Sequence, residues 1–279
     1  MKRRVLLILV VCLLCGLFSG YAAVCETPQR DSAMPQTKVY IDGQPEYMGC
    51  RVDGTVYVPL RSFCGGVNLG AVVRWNGETN TMTVSMTENG EARLLTATVG
   101  NVYLYIDDRI VYLERPILQQ EGTVLVPLLP LASAFGVAVE INDMGIFLGT
   151  ENLQLCESNV YNPEDLKWLS HIIHAEAGNQ SLEGQICVGN VVLNRVKDAR
   201  FPDTVYGVIF SPNQFCPVKS GTVYCTPDAD AVAAAKLCLE GVNLAGESTY
   251  FVNPVTGSTA WFREHLTYAM SVGDHDFYF

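Results

Sequence analysis

The pattern of apolar and polar residues changes its period along the chain. A continuous apolar run covers residues 5–18, and a polar stretch with two prolines follows at 26–37. From Lys38 onward apolar and polar residues alternate, with many Val, Tyr and Thr, which is typical of half-buried strands. Beyond Asn162 the apolar residues recur at helical spacing. The pattern predicts an α+β protein in which a β-rich N-terminal half precedes a mainly helical C-terminal half.

The β-rich half contains an internal repeat. The segment GTVYVPL at 54–60 matches GTVLVPL at 122–128, 68 residues further along the chain. Each copy leads into a short helical stretch and then into a strand, at Ala71–Trp75 and Val137–Ile141. We expect the two units to pack together, because neither could bury a core alone.

A helix with an unusual residue on its apolar face begins the C-terminal half. Asn162 is a favourable N-cap, and Pro163 suits the first helical position. The apolar stripe through Leu169 and Ile173 continues, three residues on, at Glu176. A buried, unpaired carboxyl group raises its pKa and holds its proton near neutral pH, as a general acid must. Glu176 is therefore the candidate catalytic acid, and the alternative is a solvated group in the last turn of the helix.

This helix is expected to end at Gly178, where a cleft can open beside Glu176. Ser181 can cap a second helix, whose residues between Ile186 and Val196 are apolar almost all round. Such a helix is buried and forms a suitable base for a site. The sequence thus places Glu176 at the junction of two helices.

Composition narrows the function and the location. Lys2, Arg3 and Arg4 precede the apolar run and small residues follow it, so residues 1–24 predict a secretory signal peptide or, if uncleaved, a membrane anchor. Three of the 18 Lys and Arg residues lie in that segment, so 15 remain against 29 Asp plus Glu, a formal charge of −14. Such an acidic protein is not expected to bind nucleic acid. Its charge does not help it bind an anionic polymer either, so recognition must rely on hydrogen bonds and stacking.

Seven cysteines lie beyond residue 25. Export permits disulfides, and Cys216 and Cys225, which flank a loop, are a candidate pair. Cys187 and Cys238 lie among apolar residues at helical spacing, which predicts buried thiols.

His171 and His174 raise the alternative of a metal site next to Glu176. Their spacing differs from the HExxH pattern that places two imidazoles and a base around one metal. At 100° per residue, Glu176 also turns well away from both histidines. We therefore expect neither a metal nor a cofactor.

Residues 174–196, which read HAEAGNQSLEGQICVGNVVLNRV, resemble the start of the spore-cortex-lytic (SleB-type) family of cell-wall hydrolases. The family pattern is close to AEARGE-x-x-EGQ-x-AV-x-x-V-x-LNRV, and this chain departs from it near Asn179 and Gln180. The resemblance continues in order through FPDTVYGVIFSPNQF, YFVNP and GDHDFYF, over about the last 115 residues. It implies a catalytic domain at 156–279 with a fold like that of lysozyme and the lytic transglycosylases.

The resemblance also implies a reaction. Family members cleave the glycan strand of peptidoglycan between N-acetylmuramic acid and N-acetylglucosamine, and several resemble lytic transglycosylases. One carboxyl group, here Glu176, would protonate the leaving oxygen and then take a proton from the muramic 6-hydroxyl. An ordinary glycosidase needs a second carboxylate, for which Glu183 is the candidate, although an acid is favoured in the first turn of a helix anyway. The predicted substrate-binding residues are Gln214, Phe215, Asn253, Trp261 and His275.

Residues 38–150, which hold the repeat, resemble the domain named after the N-terminal region of copper amine oxidases. No copper chemistry is expected, because residues 26–155 contain no histidine. We expect a module that binds or positions the substrate, or a spacer. The predicted order is then a signal peptide at 1–24, a linker at 25–37, the repeat domain at 38–150 and the hydrolase domain at 156–279.

Together these patterns predict an exported peptidoglycan-degrading enzyme located in the cell wall, the spore or the extracellular space. Peptidoglycan from spore cortex or from vegetative wall is the expected partner, and a regulatory protein partner is left open. Two alternatives remain, namely a two-carboxylate muramidase-type hydrolase and a wall-binding protein without turnover. An amidase fits less well, because it would usually use a metal or an exposed cysteine paired with a histidine.

Overall fold

The computed structural model describes residues 34–67, 70–157, 161–255, 257 and 259–279. The predicted signal peptide and most of the predicted linker lie outside these residues. Residues Pro35–Phe279 form one compact unit. Within the described part of the chain, no helix combines the length and the apolar character needed to cross a membrane.

The N-terminal half is β-rich, as predicted. Its first strand already includes Gln36 and Thr37, so the predicted linker ends two residues too late. The elements are β1 (Gln36–Ile41), β2 (Gln44–Val52), β3 (Thr55–Pro59), α1 (Leu60–Gly66), β4 (Val72–Asn76), β5 (Thr81–Glu88), β6 (Glu91–Thr98), β7 (Tyr103–Ile106), β8 (Arg109–Tyr112), β9 (Leu118–Gln120), β10 (Thr123–Pro127), α2 (Leu128–Ala134), β11 (Ala138–Asn142) and β12 (Gly145–Gly149).

The two repeat units pack against each other. Each copy of the repeated segment forms a strand and opens a helix, β3 with α1 and β10 with α2. The two strands pair antiparallel, with Val58 opposite Val126, within a sheet of order β11-β12-β1-β2-β3-β10-β9. Phe63 of α1 and Phe135 at the end of α2 meet edge to face, with ring centroids 5.3 Å apart. This shared core confirms the expectation that each unit supplies what the other lacks.

The C-terminal half is mainly helical, which confirms the predicted fold class. Asn162 caps the first helix and accepts from the backbone N–H groups of Glu164 and Asp165, and Ser181 caps the second. The elements are α3 (Pro163–Ala177), α4 (Leu182–Lys197), α5 (Val205–Phe210), α6 (Cys216–Ser220), a 3-10 helix (Thr222–Tyr224), α7 (Ala229–Leu239), β13 (Tyr250–Val252), α8 (Ala260–His265), β14 (Tyr268–Val272) and β15 (His275–Tyr278).

A small sheet in this half was not predicted from the sequence. Its order is β13-β15-β14, and the C-terminal GDHDFYF supplies the turn and the central strand. The turn is fastened to the α3–α4 connection, because the Gln180 side chain accepts from the backbone N–H of Asp274 at 3.0 Å and donates to the Asp274 carboxylate at 3.0 Å. Gly273 has a φ of 56° and lies so close to Gln180 that a Cβ would clash with the amide. Gln180, one of the two residues near which the chain departs from the family pattern, thus holds the hairpin against the helices.

The prediction for the cysteines is half correct. Cys187 and Cys238 are buried thiols, as expected. Cys216 and Cys225 are both exposed and carry free thiols, so the candidate pairing is wrong. Cys216 opens α6 and Cys225 ends the 3-10 helix, and these two short helices, rather than a disulfide, shape the loop between them.

The two halves share a packed boundary along β8, an edge strand of the sheet β4-β5-β6-β7-β8. Ile110 of β8 is 2% exposed and belongs to the hydrophobic core of the helical half. Arg109 forms an ion pair with Glu240 at 3.0 Å, and Tyr161 donates to the other oxygen of the same carboxylate at 2.9 Å. The predicted limits at 150 and 156 divide the chain along the sequence. In the folded protein, the two halves on either side of them pack directly against each other.

Candidate active site

Glu176 lies in the last turn of α3, on the face that the helix turns toward the core. Its neighbours Leu169, Ile172 and Ile173 on that face are fully buried, and the carboxyl group itself is half-buried. Within the described residues the carboxyl group has no hydrogen-bond partner. Burial raises its pKa to about 7, while the charge of Arg195 acts in the opposite direction. Glu176 is thus partly protonated near neutral pH, in the state that a general acid needs.

Arg195 is the charged residue that acts on the pKa of Glu176, and it was not predicted from the sequence. It lies in the last turn of α4, only 5% exposed. Its Nε donates to the backbone carbonyl of Thr249 at 2.7 Å, and Nη1 donates to Oε1 of Gln214 at 3.3 Å. Burial lowers its pKa to about 10, so the guanidinium stays charged at neutral pH. A signal was present, since an arginine follows a run of buried apolar residues in the LNR motif.

Three aromatic rings surround the guanidinium of Arg195. The Cζ atom lies 5.1 Å from the ring centroids of Phe201 and Phe215 and 5.3 Å from that of Tyr250. The rings come from three separate segments of the chain and fix the cation where its field reaches Glu176. Cation–π contacts stabilise a desolvated charge that has no carboxylate bonded to it. We call Arg195 with these three rings the arginine cage.

The structure brings two predicted substrate-binding residues to this cage. Gln214 is exposed and accepts a hydrogen bond from Arg195. Phe215 is 5% exposed and packs against the guanidinium. Phe215 also lies 6.4 Å from Phe251, which links the cage to the small sheet. Phe215 is therefore a wall of the site rather than a free stacking platform.

His275 lies on the other side of Phe251, with ring centroids 5.2 Å apart and the rings edge to face. It is 6% exposed, and its Nδ1 has no hydrogen-bond partner among the described residues. Burial lowers its pKa, and the charge of Asp274 opposes that shift only in part. A neutral imidazole packed on Phe251 can orient the aromatic wall.

Trp261 and Asn253 lie further out. Trp261 is 49% exposed, stacks on His265 at 4.9 Å and lies 6.3 Å from Tyr250 of the cage. Such a ring at the rim of a site is well placed to stack on a sugar. Asn253 accepts from the backbone N–H of Val255 at 2.9 Å and so shapes the turn after β13.

The charge of Glu183 acts on residues other than Glu176. It is exposed in the first turn of α4, twelve residues before Arg195, which is about 18 Å along the helix axis. The pKa of Tyr112 is raised, first by burial and then by the charges of Glu114 and Glu183. Among the described residues no carboxylate acts on the pKa of Glu176. Burial and the charge of Arg195 are the two influences on the pKa of Glu176, and the charge of Glu183 acts instead on Tyr112 and Cys187.

The two histidines of α3 have other contacts. His171 Nδ1 lies 2.9 Å from the carbonyl oxygen of Val223, and His174 Nδ1 lies 3.2 Å from Asp228. Among the described residues, no cluster of three or more His, Cys, Asp or Glu side chains could hold a metal ion.

Two protein families account for most of the chain. Residues 179–278 match the model of the Cell Wall Hydrolase family, and residues 35–145 match that of the copper amine oxidase N-terminal domain. The C-terminal half therefore carries a Cell Wall Hydrolase domain, and the N-terminal half carries a copper amine oxidase N-terminal domain. The first match begins three residues after Glu176, so the role of that residue rests on the geometry given above.

Similar proteins carry related names. A spore cortex-lytic enzyme of Halalkalibacterium halodurans is 38% identical over 101 residues, which are 36% of this chain and 31% of that protein. A spore cortex-lytic enzyme of Bacillus cereus is 36% identical over 103 residues, 37% of this chain and 40% of that protein. The chain thus spans about a third of the length of the curated relatives it matches. The catalytic domain of the germination-specific lytic transglycosylase SleB from Bacillus anthracis is 32% identical and is covered completely by 44% of this chain, with a TM-score of 0.41.

Proposed function

We propose that this protein is an exported enzyme that cleaves the glycan strand of peptidoglycan between N-acetylmuramic acid and N-acetylglucosamine, as a lytic transglycosylase. The observation that carries the proposal is the half-buried Glu176, whose pKa is raised to about 7 beside Arg195. The family of the C-terminal domain and the names of the relatives support a wall substrate. The relatives named as cortex-lytic favour spore cortex over vegetative wall.

In this mechanism one carboxyl group acts twice. Protonated Glu176 gives its proton to the glycosidic oxygen as the bond from that oxygen to the muramic C1 breaks. The muramic 6-hydroxyl then attacks C1, and the Glu176 carboxylate takes up the hydroxyl proton. An anhydro ring forms, no water is consumed, and the glutamic acid is restored.

The positive charge of Arg195 stabilises Glu176 while its carboxylate is ionised. Between the two proton transfers Glu176 is an anion in a poorly solvated position, and the caged guanidinium is the charge that stabilises it. Because Arg195 is held by Thr249, Gln214 and three rings, it needs no rearrangement when the anion forms. The pair thus keeps both protonation states of Glu176 accessible.

The two-carboxylate hydrolase is less well supported, since no carboxylate among the described residues acts on Glu176. An inverting or retaining glycosidase needs a second carboxyl group across the scissile bond, within about 5 to 9.5 Å of the first. Export through the segment at 1–24 belongs to the same proposal, because peptidoglycan lies outside the cell membrane.

Product analysis tests the proposal. Purified spore cortex and vegetative wall peptidoglycan are digested with the full-length protein, and the fragments are separated and weighed by mass spectrometry. We expect fragments that end in anhydro-muramic acid, each lighter by one water than its hydrolytic counterpart, and faster release from cortex. Reducing muramic ends would establish the hydrolase instead, freed stem peptides an amidase, and intact glycan with retained protein a wall-binding role.

A further inference from the structure

A second aromatic cluster lies on the helical half, apart from the arginine cage. It consists of Trp168 on α3, Tyr206 and Phe210 on α5, and Tyr224 of the 3-10 helix, and we call it the aromatic platform. Trp168 and Phe210 meet edge to face at 4.9 Å, and Tyr206 stacks on Phe210 at 4.4 Å with an interplanar angle of 25°. Trp168 and Tyr224 lie 6.1 Å apart. The platform shares no residue with the cage.

One side of the aromatic platform is exposed to solvent. Tyr206 is 47% exposed and Tyr224 is 62% exposed, whereas Phe215 of the cage is 5% exposed and Phe201 and Tyr250 are half-buried. Neighbouring exposed rings leave a contiguous apolar surface in water, which in a soluble protein marks a binding site more often than a packing accident. Two tyrosines with apolar faces and polar tips suit a ligand that is itself amphipathic.

A cleft of about 430 Å³ adjoins the platform at Tyr206. The residues that line it include the acidic Glu164, Asp165 and Asp203 and the polar Asn162 and Thr204. Three carboxylates repel phosphate and carboxylate ligands, and they accept hydrogen bonds from hydroxyl and amide groups. The part of a ligand that lies on this surface therefore offers hydroxyl or amide donors and is flat enough to cover aromatic rings.

We propose that the aromatic platform and the adjoining cleft form a second glycan-binding site, which holds a saccharide strand while Glu176 acts on it. The C–H faces of pyranose rings would lie on Tyr206 and Tyr224, and the sugar hydroxyls would donate to the carboxylates of the cleft. The choice of a peptidoglycan strand as the occupant rests on the proposed function. A polymer offers many sugar units, so a site beyond the cleavage point can raise the residence time without taking part in the chemistry.

The chain geometry supports one strand reaching both places. Phe201 belongs to the arginine cage, and Tyr206 of the platform follows it by five residues. Even a fully extended backbone keeps their Cα atoms within about 18 Å of each other. The segment that walls the cage therefore also carries the platform.

A binding experiment on full-length protein tests this site. In the Glu176→Gln background, which does not consume the polymer, the double variant Tyr206→Ala/Tyr224→Ala is sedimented with protein-free peptidoglycan. We expect about tenfold weaker binding, since each stacked ring contributes on the order of a few-fold to tenfold. With Glu176 intact, the same double substitution should leave turnover of short soluble glycan fragments unchanged within about twofold. Tyr206→Phe/Tyr224→Phe should keep most of the binding, because the ring faces remain.

Controls separate this site from its alternatives. Trp75→Ala removes an exposed ring from the repeat domain and should leave binding unchanged. Thermal unfolding of every variant excludes misfolding as the cause. Unchanged sedimentation of the tyrosine double variant would overturn the proposal, as would an equal loss of turnover on short fragments, which would make the platform part of the catalytic cleft. Platform-dependent capture of wall proteins without capture of glycan would also overturn it. If the glycan binds through the platform but the wild-type protein cleaves nothing, the proposed function fails while the platform site stands.

Discussion

The two halves of this protein differ most in what they bury. The β-rich half has a core of apolar side chains, closed by the contact between Phe63 and Phe135. Among the described residues, every polar or charged residue classed as buried lies in the helical half, and these are Ser170, Gln185, Asn190, Arg195, Ser248, Thr249 and His275. Four of the five buried side-chain atoms without a hydrogen-bond partner also lie there. Polar burial is unfavourable and is kept where chemistry requires it, so the difference separates a half built for packing from a half built for a reaction.

Substitution of Glu176 tests this comparison most severely. Glu176→Gln keeps the shape of the side chain but cannot deliver a proton, so we expect turnover of soluble glycan to fall by about 10²- to 10⁴-fold. Glu183→Gln is the matched control, which changes an exposed glutamate of the same domain and should alter turnover by less than about threefold. Initial rates of anhydro-product release measure both. Equal losses in the two variants would point to a two-carboxylate site, and full activity of Glu176→Gln would place the chemistry elsewhere.

The same glutamate should make stability depend on pH. Folded Glu176 holds its proton up to about pH 7, while in the unfolded chain the group ionises near its ordinary pKa of 4.5. The folded state binds more protons between these values, so the stabilisation present at low pH is lost as the pH rises through about 7. Glu176→Gln has no such loss, and its free energy of unfolding should exceed that of the wild type by up to about 3 kcal/mol above pH 8 and by little at pH 4. Urea unfolding at both pH values measures this, and a constant difference would show that the carboxyl group is solvated.

Removing the caged cation should shift the pH profile without abolishing the reaction. Arg195 lowers the pKa of Glu176, so Arg195→Met should raise that pKa and move the alkaline limb of the activity profile to higher pH, by about one unit. A purely structural arginine would change the rate at all pH values and leave the limb in place. Arg195→Lys, which keeps the charge, should restore the position of the limb. Rates from pH 5 to pH 9 distinguish the two roles.

The smallest effect is expected when the β-rich half is removed. A fragment of residues 156–279 should unfold cooperatively and cleave soluble glycan, but its melting temperature should be a few degrees lower, because the contacts of Ile110 and Arg109 with the helical half are lost. Arg109→Ala in the full chain, which removes the ion pair but not Ile110, should lower it less. Loss of cooperative unfolding or of all activity would show that the halves do not divide structure and reaction between them. Copper retained by the isolated repeat domain through dialysis would contradict its predicted lack of a metal.

Local signals were enough to predict much of the fold. The caps Asn162 and Ser181 act on residues two or three positions away, so the sequence alone contains all that the helix ends require. The two repeat segments were visible because they are nearly identical. Glu176 was recognisable since a single helical period places it on the buried face.

The arginine cage could not be predicted in the same way. It depends on Phe201, Phe215 and Tyr250, which lie in three segments that only the tertiary fold brings together. The β8 boundary was hidden for a related reason, because Ile110 looks like any inward-facing residue of an alternating strand. The small C-terminal sheet was missed since its strands have three to five residues, too few for a period to show.

The pairing of β3 with β10 limits how many repeats this domain can join. Each repeat pairs with the other repeat of the same polypeptide, with Val58 opposite Val126, and both strands lie inside a sheet whose outer strands are β11 and β9. In a solenoid each new repeat exposes the surface that recruits the next, and length is set only by end caps. Here the same strand of each repeat, β3 in one and β10 in the other, pairs with its counterpart, so two copies use up this contact.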